Sequence, residues 1–288
     1  MFTPAEKLAC RRLVELALEE DLGEEGDLTS RAVIPLGLQG TAQFVARSAG
    51  VVAGLPAAAL VTTAVDDSLQ FHSAVDDGIR VTQPGTVLAR ISGPMQSILA
   101  AERIALNFLQ HLSGIATSTQ AYVDAVAGLS CRILDTRKTT PGWRLLEKYA
   151  VRCGGGYNHR LGLYDGVLLK DNHLASLGEG LAAIRKAVES VRLRLPESLL
   201  IEIEVDNREQ LYMALTCGPD MILLDNMNLA ELREAVELRN QLAPKVLLEA
   251  SGRVNLDTVR AIAETGVDRI SVGALTHSAP ALDLALDY

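Results

Sequence analysis

The segment from Asp135 to His173 collects cationic side chains that could bind an anion. It contains seven basic and four acidic residues, a net charge of +3, whereas the whole chain carries −9, so the remainder carries −9 − 3 = −12. Because charges in water are screened beyond roughly 8–10 Å, such a local excess acts on a ligand that lies close by. The segment therefore predicts an anion site.

Four cations of this segment stand near the ends of two apolar runs. They are Arg137, Lys138, Arg160 and Lys170. An arginine can pair with a planar carboxylate or a phosphate through two parallel hydrogen bonds. Two arginines and two lysines at one place therefore suit a ligand with several negative charges.

Three other cations of the segment have helical spacing. Arg144, Lys148 and Arg152 recur every four residues, which is typical of one face of a helix. We expect these three on a solvated helix surface and outside the site.

Two carboxylates are predicted to lie near the cations. Glu204 and Asp225 belong to consecutive apolar runs, and they would repel the anion that the cations attract. Mg²⁺ resolves this conflict, since it is typically held by one or two carboxylates plus substrate phosphates. The alternative is a pair of structural salt bridges to Lys170 and Arg137. Glu202 lies on the same strand face as Glu204, and its participation is left open.

Glycine-containing loops follow the last two apolar runs. They are Ser251-Gly252-Arg253 and Gly273-Ala274-Leu275. In β/α barrels, such loops ahead of a helix often hold a monophosphate, so we predict a phosphate site here in preference to ordinary turns. Gly154-Gly155-Gly156 fits a ligand-binding loop and a plain flexible turn equally well.

Two histidines lie within the cationic segment. His159 and His173 could act as general acid or base. Because many cations surround it, His159 is predicted to donate hydrogen bonds to a ligand carboxylate rather than to shuttle protons.

Six short apolar runs alternate with helical stretches after residue 130. The runs are 131–135, 166–170, 199–205, 221–225, 246–251 and 269–273. This alternation predicts parallel strands with right-handed crossovers, and the polar residues fall at C-terminal strand ends, where β/α barrels place active sites. Because a complete barrel has eight strands, we expect an open or incomplete TIM-like barrel of six to seven strands, the seventh irregular.

The first part of the chain has a different order of predicted helices and strands. A charged amphipathic helix is followed by strand-like runs at 40–54, 68–75 and 86–93 and by a helix from about Met95 to Leu112. We therefore expect an α/β protein with an N-terminal α+β sandwich domain, 1–110, and a β/α barrel domain, 111–278.

Composition and charge exclude several classes of protein for this chain. The chain is 48% hydrophobic and 22% charged, as in ordinary globular proteins. Its acidic balance, without a basic stripe interleaved with aromatics, argues against a nucleic-acid partner. No apolar stretch approaches the length of a membrane span. The cysteine spacings match no metal or disulfide pattern, and Thr3-Pro4-Ala5-Glu6 predicts a helix start rather than a signal peptide. We expect a cytoplasmic protein without a membrane partner.

The segment 136–173 resembles the longest motif of the quinolinate phosphoribosyltransferase family. The similarity continues through EDLGEEGDLTS (20–30), AERIALNFLQHLSGIAT (101–117), EIEVD (202–206), LLDN (223–226), EASG (249–252) and SVGALTHSAPALD (271–283). It covers nearly the whole chain in order. Arg253 departs from the pattern, which more often has glycine there, and this leaves the detail of the phosphate loop open.

The resemblance implies an activity and an assembly. The activity is the transfer of a phosphoribosyl group, a pentosyl transfer, from phosphoribosyl pyrophosphate (PRPP) to quinolinate. Decarboxylation follows and gives nicotinate mononucleotide, pyrophosphate and carbon dioxide, a step of de novo NAD biosynthesis. The assembly is a homodimer, or a higher oligomer, in which Arg103 reaches the partner's barrel mouth. The family's C-terminal tail, about 279–288 here, returns to the N-terminal domain.

The resemblance also implies a role for each matching residue. The quinolinate carboxylates would be bound by Arg103, Arg137, His159, Arg160 and Lys170. The pyrophosphate would face Lys138 and Lys170, and Mg²⁺ or the ribose hydroxyls would be bound by Glu204 and Asp225. The 5′-phosphate would be held by Ser251, Gly252, Gly273 and His277. The implied catalytic residues are Lys138, Lys170, Glu204 and Asp225.

Three rival functions remain open at this point. A class I aldolase would use Lys170 as a Schiff-base lysine at a strand end, although such chemistry does not need the surrounding cations. A paralogous pyrophosphorylase would act on another pyridine or anion. A non-catalytic module would bind a phosphoribosyl group without turnover.

Overall fold

The computed structural model describes residues 1–288, which form two compact units. The first unit comprises residues 1–120, 138–156 and 275–288, and the second comprises 121–137 and 157–274. These units differ from the predicted domains chiefly in the segment 138–156, which packs within the first unit.

The elements follow the chain in this order. The first nine are α1 (Pro4–Leu22), α2 (Leu28–Val33), β1 (Gln39–Ala46), β2 (Gly50–Val51), α3 (Leu55–Val65), β3 (Gln70–Ser73), β4 (Arg80–Val81), β5 (Val87–Pro94) and α4 (Met95–Ala125). The next seven are β6 (Arg132–Leu134), α5 (Arg144–Cys153), β7 (Val167–Leu169), α6 (Asp171–Ala175), α7 (Gly180–Arg194), β8 (Ile201–Val205) and α8 (Arg208–Leu215). The last seven are β9 (Met221–Asp225), α9 (Leu229–Leu242), β10 (Leu247–Ser251), α10 (Val259–Ala263), β11 (Arg269–Ser271), α11 (Ala274–His277) and β12 (Leu284–Asp287).

Helix α1 begins as its sequence predicts. The Thr3 hydroxyl accepts the Glu6 N–H at 3.3 Å, and the Glu6 carboxylate accepts the Thr3 N–H at 2.8 Å. Pro4 occupies the first turn, where its missing N–H costs nothing. This capping box satisfies two backbone donors that would otherwise have no partner in the helix.

The first unit contains a four-stranded antiparallel sheet of order β12-β1-β5-β3. Strand β1 pairs on one side with β5, for example Phe44 opposite Ala89, and on the other side with β12, Phe44 opposite Leu286. The last strand of the chain thus completes a sheet built from the first hundred residues. The short pair β2 and β4 forms a separate two-stranded sheet.

The second unit contains the six-stranded parallel sheet of order β6-β11-β10-β9-β8-β7. Each predicted apolar run after residue 130 forms one of these strands, which confirms the predicted fold class. The strands are short and mostly buried, as expected for parallel strands that helices cover. Strands β6 and β7 stand at the two ends of the sheet, so the barrel is incomplete.

An irregular segment lies next to β6, where a complete barrel would have another strand. Tyr157 forms an isolated parallel bridge with Leu134. Its N–H donates to the Ile133 carbonyl at 2.9 Å, and its carbonyl accepts the Asp135 N–H at 3.1 Å. This agrees with the expected seventh, irregular strand. We call residues 157–160 the irregular segment.

Helix α5 is buried more completely than its sequence predicts. Residues 146–151 are all buried, and Lys148 is 0% exposed, so the prediction of a solvated face is wrong for Lys148. Helix α5 packs against α1 within the first unit, and the Arg152 guanidinium pairs with Glu6 of α1 at 2.6 Å. Helical spacing shows which residues share a face, but not whether that face meets solvent.

Candidate active site

The second unit gathers polar side chains at the C-terminal ends of its strands. Lys170 follows β7, Glu204 lies on β8, Asp225 ends β9 and Ser251 ends β10. Asp225 and Ser251 are direct partners in the parallel register. Because parallel strands end at one edge of the sheet, these groups share one mouth, as predicted.

Lys170 and Glu204 form an ion pair across this mouth. The Lys170 side chain is 44% exposed and the Glu204 side chain is 17% exposed, so a ligand can reach both. Of the two salt bridges that the alternative interpretation predicts, the one to Lys170 is therefore present. An ion pair that is this exposed adds little stability to the fold. A ligand can therefore separate the two groups at little cost in stability.

Arg160 lies near Arg137 in the second unit. Burial lowers the pKa of Arg160 from its usual value and the positive charge of Arg137 lowers it further, while the charges of Glu202 and Glu204 act in the opposite direction. The Arg160 guanidinium also donates to the Gly166 carbonyl at 3.1 Å, which fixes its direction. Two nearby guanidinium groups repel each other, so an anion between them would be bound strongly.

Asp135 holds the irregular segment against β6. It is fully buried, and its carboxylate accepts the Asn158 side-chain amide at 2.6 Å and the His159 N–H at 2.9 Å. A buried carboxylate that accepts such donors rigidifies the backbone around it. Asp135 therefore positions the chain from which His159 and Arg160 project.

His159 points into the interior of the barrel. Its Nε2 lies 3.0 Å from a Glu202 oxygen and 3.3 Å from a Glu249 oxygen, and the Glu249 carboxylate lies 3.5 Å from Arg269 Nε. Its Nδ1 accepts the Arg160 N–H at 2.8 Å. We call His159, Glu202, Glu249 and Arg269 the inner cluster.

The inner cluster holds a proton strongly. Burial by itself disfavours the imidazolium, but hydrogen bonds to Glu202 and Glu249 and their negative charges outweigh burial and raise the pKa of His159 to about 9. Burial also raises the pKa of Glu202, and the charge of Glu249 adds to that shift. Because Nδ1 accepts the Arg160 N–H, the ring is the neutral tautomer that donates from Nε2, and the extra proton of the pair lies on the Glu202 carboxyl group.

The loop after β10 has a left-handed backbone. Gly252 has φ +105° and Arg253 has φ +50°, both in the left-handed region, and Asn226 on the neighbouring loop has φ +54°. The Asn226 N–H donates to the Ser251 carbonyl at 2.9 Å. A side chain on residue 252 would collide with the Asn226 amide, so glycine is required there by both conformation and space.

Three residues of the predicted site lie in the first unit. Arg103 is exposed on α4, and Lys138 is exposed at the start of the segment 138–156. The Lys138 carbonyl accepts the Thr276 hydroxyl at 2.7 Å, which holds α11 to that segment, and His277 at the end of α11 is exposed beside Ser278. In the second unit, Gly273 lies two residues after the end of β11.

Two candidate motifs have local structural roles. His173 Nδ1 accepts the Lys170 N–H at 3.0 Å and so caps α6. Side chains on Gly154 or Gly156 would collide with Ala116 or Thr119 of α4. These two glycines permit close helix packing, which accounts for them without a ligand.

Two pockets border the barrel. A pocket of about 360 Å³ lies beside the C-terminal end of β8 and is lined by Asp171, Glu204 and Asp206 among others. Its carboxylates make it a poor site for an anion. A second pocket of about 250 Å³ opens at the N-terminal ends of β7 and β8 and reaches His159 and Glu202. The inner cluster is therefore nearer the N-terminal end of the barrel than the mouth is.

The carboxylates of the mouth fit a divalent metal that is shared with a substrate. Glu204 and Asp225 lie on adjacent strands, and two carboxylates suffice for Mg²⁺ when substrate phosphates complete its shell. His159, Glu202 and Glu249 also bring donor atoms within 4.8 Å of one another. In that cluster, however, the Arg269 guanidinium already lies against Glu249, which disfavours a further cation.

Glu249 and Arg269 were not predicted from the sequence, and Glu202 was left open. For the two glutamates the signal was present, since each is a charged residue inside a buried strand: Glu202 in β8 and Glu249 in β10. Buried charges of this kind occur almost always with partners, so a search for charged residues within apolar runs would have found both. Arg269 is the first residue of β11 and of its apolar run, so such a search would not have found it.

The chain matches known proteins along almost its full length. Residues 27–113 match the N-terminal domain of quinolinate phosphoribosyl transferase, and residues 115–287 match its C-terminal domain. A nicotinate-nucleotide pyrophosphorylase [carboxylating] of Mycobacterium leprae is 46% identical, with all of both chains covered. A quinolinate phosphoribosyltransferase [decarboxylating] of Nicotiana tabacum is 41% identical over 95% of this chain and 81% of the relative.

Solved structures agree with these sequence matches. The nicotinate-nucleotide pyrophosphorylase of Francisella tularensis superposes with a TM-score of 0.91 at 38% identity, covering 99% of this chain and 97% of that one. The corresponding structure from Ehrlichia chaffeensis gives 0.88 at 40% identity, covering 96% and 97%. None of the helices combines the length and the apolar character that a membrane-spanning helix needs. On the two domain matches and the full-length relatives, the chain belongs to the quinolinate phosphoribosyl transferase family.

Proposed function

We propose that this chain transfers a phosphoribosyl group from PRPP to quinolinate with loss of carbon dioxide, giving nicotinate mononucleotide and pyrophosphate. The observation that carries the proposal is the proximity of Arg137 and Arg160 in a chain of net charge −9. Quinolinate is a small planar molecule with two carboxylates, which two guanidinium groups match in charge and geometry. Relatives named for this activity, at 41–46% identity, support the same conclusion.

Quinolinate recognition is assigned to three cations of the second unit and one of a second copy. Arg137, Arg160 and Lys170 bind its two carboxylates, and Arg103 of a second copy completes the set. His159 belongs to the set that the resemblance implies. Both of its ring nitrogens face protein groups, so we assign it an indirect part.

PRPP recognition is assigned to the loops after β10 and β11 and to two lysines. Ser251, Gly252, Gly273 and His277 hold the 5′-phosphate. The left-handed backbone at Gly252 supports this role, because such turns point backbone N–H groups at an anion. The pyrophosphate is bound by Lys138 and Lys170.

Glu204 and Asp225 are proposed to bind Mg²⁺ together with PRPP, or to bind the ribose hydroxyls. When bound, Mg²⁺ supplies positive charge that stabilises the departing pyrophosphate. Glu204 has a second part, since its ion pair with Lys170 holds that lysine at the mouth.

The residues of the mouth act by position and charge. As pyrophosphate leaves, carbon 1 of the ribose gains oxocarbenium character and negative charge collects on the leaving group, where Lys138 and Lys170 offset it. Arg137 and Arg160 hold quinolinate so that its ring nitrogen faces carbon 1. The nitrogen forms the new bond and becomes a pyridinium. The bond to the adjacent carboxylate then breaks, its electron pair stays on the ring carbon, carbon dioxide departs and the carbon takes up a proton.

One assay tests the proposed function against its rivals. Carbon dioxide release is measured from quinolinate labelled in the carboxyl group next to the nitrogen, with and without PRPP and with and without excess EDTA. Release that requires both PRPP and a divalent metal is expected. A paralogue acting on another anion, or a module that only binds, would release none. An aldolase would instead give a borohydride-trapped adduct on Lys170.

Assembly and location are also proposed. A homodimer in which Arg103 reaches the partner's mouth agrees with the exposure of Arg103 on α4. A cytoplasmic location agrees with the use of soluble, highly charged substrates, and cell fractionation tests it.

A further inference from the structure

The inner cluster connects four separate parts of the second unit. Glu202 lies on β8, Glu249 on β10 and Arg269 on β11, while His159 belongs to the irregular segment. Glu202 is 2% exposed and Glu249 is 0% exposed. Glu202 precedes Glu204 by two residues on the same strand face, which is about 6.6 Å along a strand. The carboxylates of the cluster therefore lie below the level of Glu204 in the barrel.

The composition of the inner cluster is unusual for a group of side chains that only stabilises the fold. Its two carboxylates are balanced by one imidazole and one guanidinium, at 3.0–3.5 Å. Buried oxygens of Glu202 and Glu249 lack well-formed hydrogen bonds. Buried ion pairs of this quality often contribute no more stability than apolar residues of the same size. A role in fixing the direction of a neighbouring group accounts for the cluster better.

That neighbouring group is Arg160. The irregular segment is tied to β6 on one side through Tyr157 and Asp135. On the inner side, the His159 ring reaches Glu202 and Glu249, and its Nδ1 accepts the Arg160 N–H at 2.8 Å. The ring thus links the carboxylates directly to the backbone of Arg160. A ring that rotated away would release that N–H and loosen the backbone that carries the guanidinium.

We propose that Glu202 and Glu249 are positioning residues for quinolinate recognition: they hold the His159 ring, and the ring fixes the backbone from which Arg160 reaches the substrate. The inference rests on the proposed function of Arg160 and goes beyond it by assigning a role to two residues that do not touch the substrate. It predicts a defect confined to one of the two substrates. PRPP recognition, which depends on other loops, is left unchanged.

The test compares three variants with the wild type in the full-length protein. Glu202→Gln and Glu249→Gln keep side-chain shape and remove charge. Each is expected to raise the KM for quinolinate at least tenfold and to leave the KM for PRPP within twofold. The control is Arg239→Met, which removes the buried Arg239–Asp268 pair of the same unit at 2.8 Å. It should lower the thermal unfolding midpoint and leave both KM values within twofold.

The outcomes separate the two levels of the proposal. A wild type without PRPP-dependent release of carbon dioxide would contradict the proposed function itself. An active wild type with an unchanged quinolinate KM in both glutamine variants would overturn the positioning role alone. Equal losses for both substrates, or failure of both variants to fold, would show that the cluster is structural and would also overturn the proposal.

Discussion

At the scale of single residues, Arg160 has the most direct link between position and function. Its guanidinium is held by the Gly166 carbonyl and lies near Arg137. Arg160→Ala is expected to weaken quinolinate recognition by about 2–5 kcal/mol, the cost of removing one partner from a buried charge pair. The kcat/KM for quinolinate measures this loss. Arg192→Ala, which removes an exposed pair with Asp220, should have no effect. Near-wild-type affinity in Arg160→Ala would refute the assignment.

Gly252 offers a second test at this scale. Gly252→Ala should destabilise the protein by roughly 1–3 kcal/mol, because residue 252 has φ +105° and its new side chain would meet Asn226. It should also raise the KM for PRPP, since the loop has to shift. Gly218→Ala is the matched control: residue 218 has φ +69° with open space around it. It should lower stability without changing either KM, and a normal PRPP KM in Gly252→Ala would argue against the phosphate loop.

At the scale of elements, the inner cluster joins β8, β10, β11 and the irregular segment, and it makes stability depend on pH. The pKa of His159 is raised from 6.5 to about 9, so between these values the folded chain binds a proton that the unfolded chain lacks. The contribution of this proton to the free energy of unfolding is therefore fully present below about pH 6.5. It is lost as pH rises through about 9, by at most about 1.4 kcal/mol per pH unit. Urea denaturation between pH 6 and 9.5 measures the slope.

The same experiment has an internal control. Glu202→Gln removes one of the carboxylates that raise the pKa of His159, so the loss of stability should end at a lower pH and be smaller in this variant. Identical pH profiles for the two proteins would show that the cluster does not titrate as described.

The elements also show what sequence can and cannot predict. The six parallel strands were predictable because buried strands leave short apolar runs in the sequence. The irregular segment leaves no such run, since its one bridge is made by Tyr157. The burial of Lys148 was not predicted, because a charged residue is expected in solvent unless the packing of α1 on α5 is known. Partners distant in sequence, such as Glu249 for His159, become visible only when the strands are placed side by side.

The site shows the same division. Residues at strand ends, such as Lys170, Asp225 and Ser251, were predictable because every parallel strand ends at the same edge. The pairing of Lys170 with Glu204 was predicted as an alternative to metal binding, and the structure permits both, since the pair is accessible to a ligand. Side-chain direction was not predictable, and this is why His159 was assigned to the ligand while its ring faces Glu202.

At the scale of the whole molecule, the proposed dimer makes each site depend on two chains. Arg103 is exposed on α4, and in the proposed assembly it serves the partner's site, whereas Lys170 serves the site of its own chain. Arg103→Ala and Lys170→Ala should each be inactive alone. In a mixed dimer, one site contains both substitutions and the other contains neither.

Mixing these two variants should therefore restore activity. Random reassociation gives about half mixed dimers with one intact site each, so the mixture should reach about one quarter of wild-type activity. The control mixes Arg160→Ala with Lys170→Ala: both residues serve their own chain's site, so no mixed dimer has an intact site and no activity should return. Recovery in the first mixture but not in the second requires Arg103 to act across the dimer. Failure of the first mixture, with reassociation verified by differently tagged chains, would place Arg103 outside the partner's site.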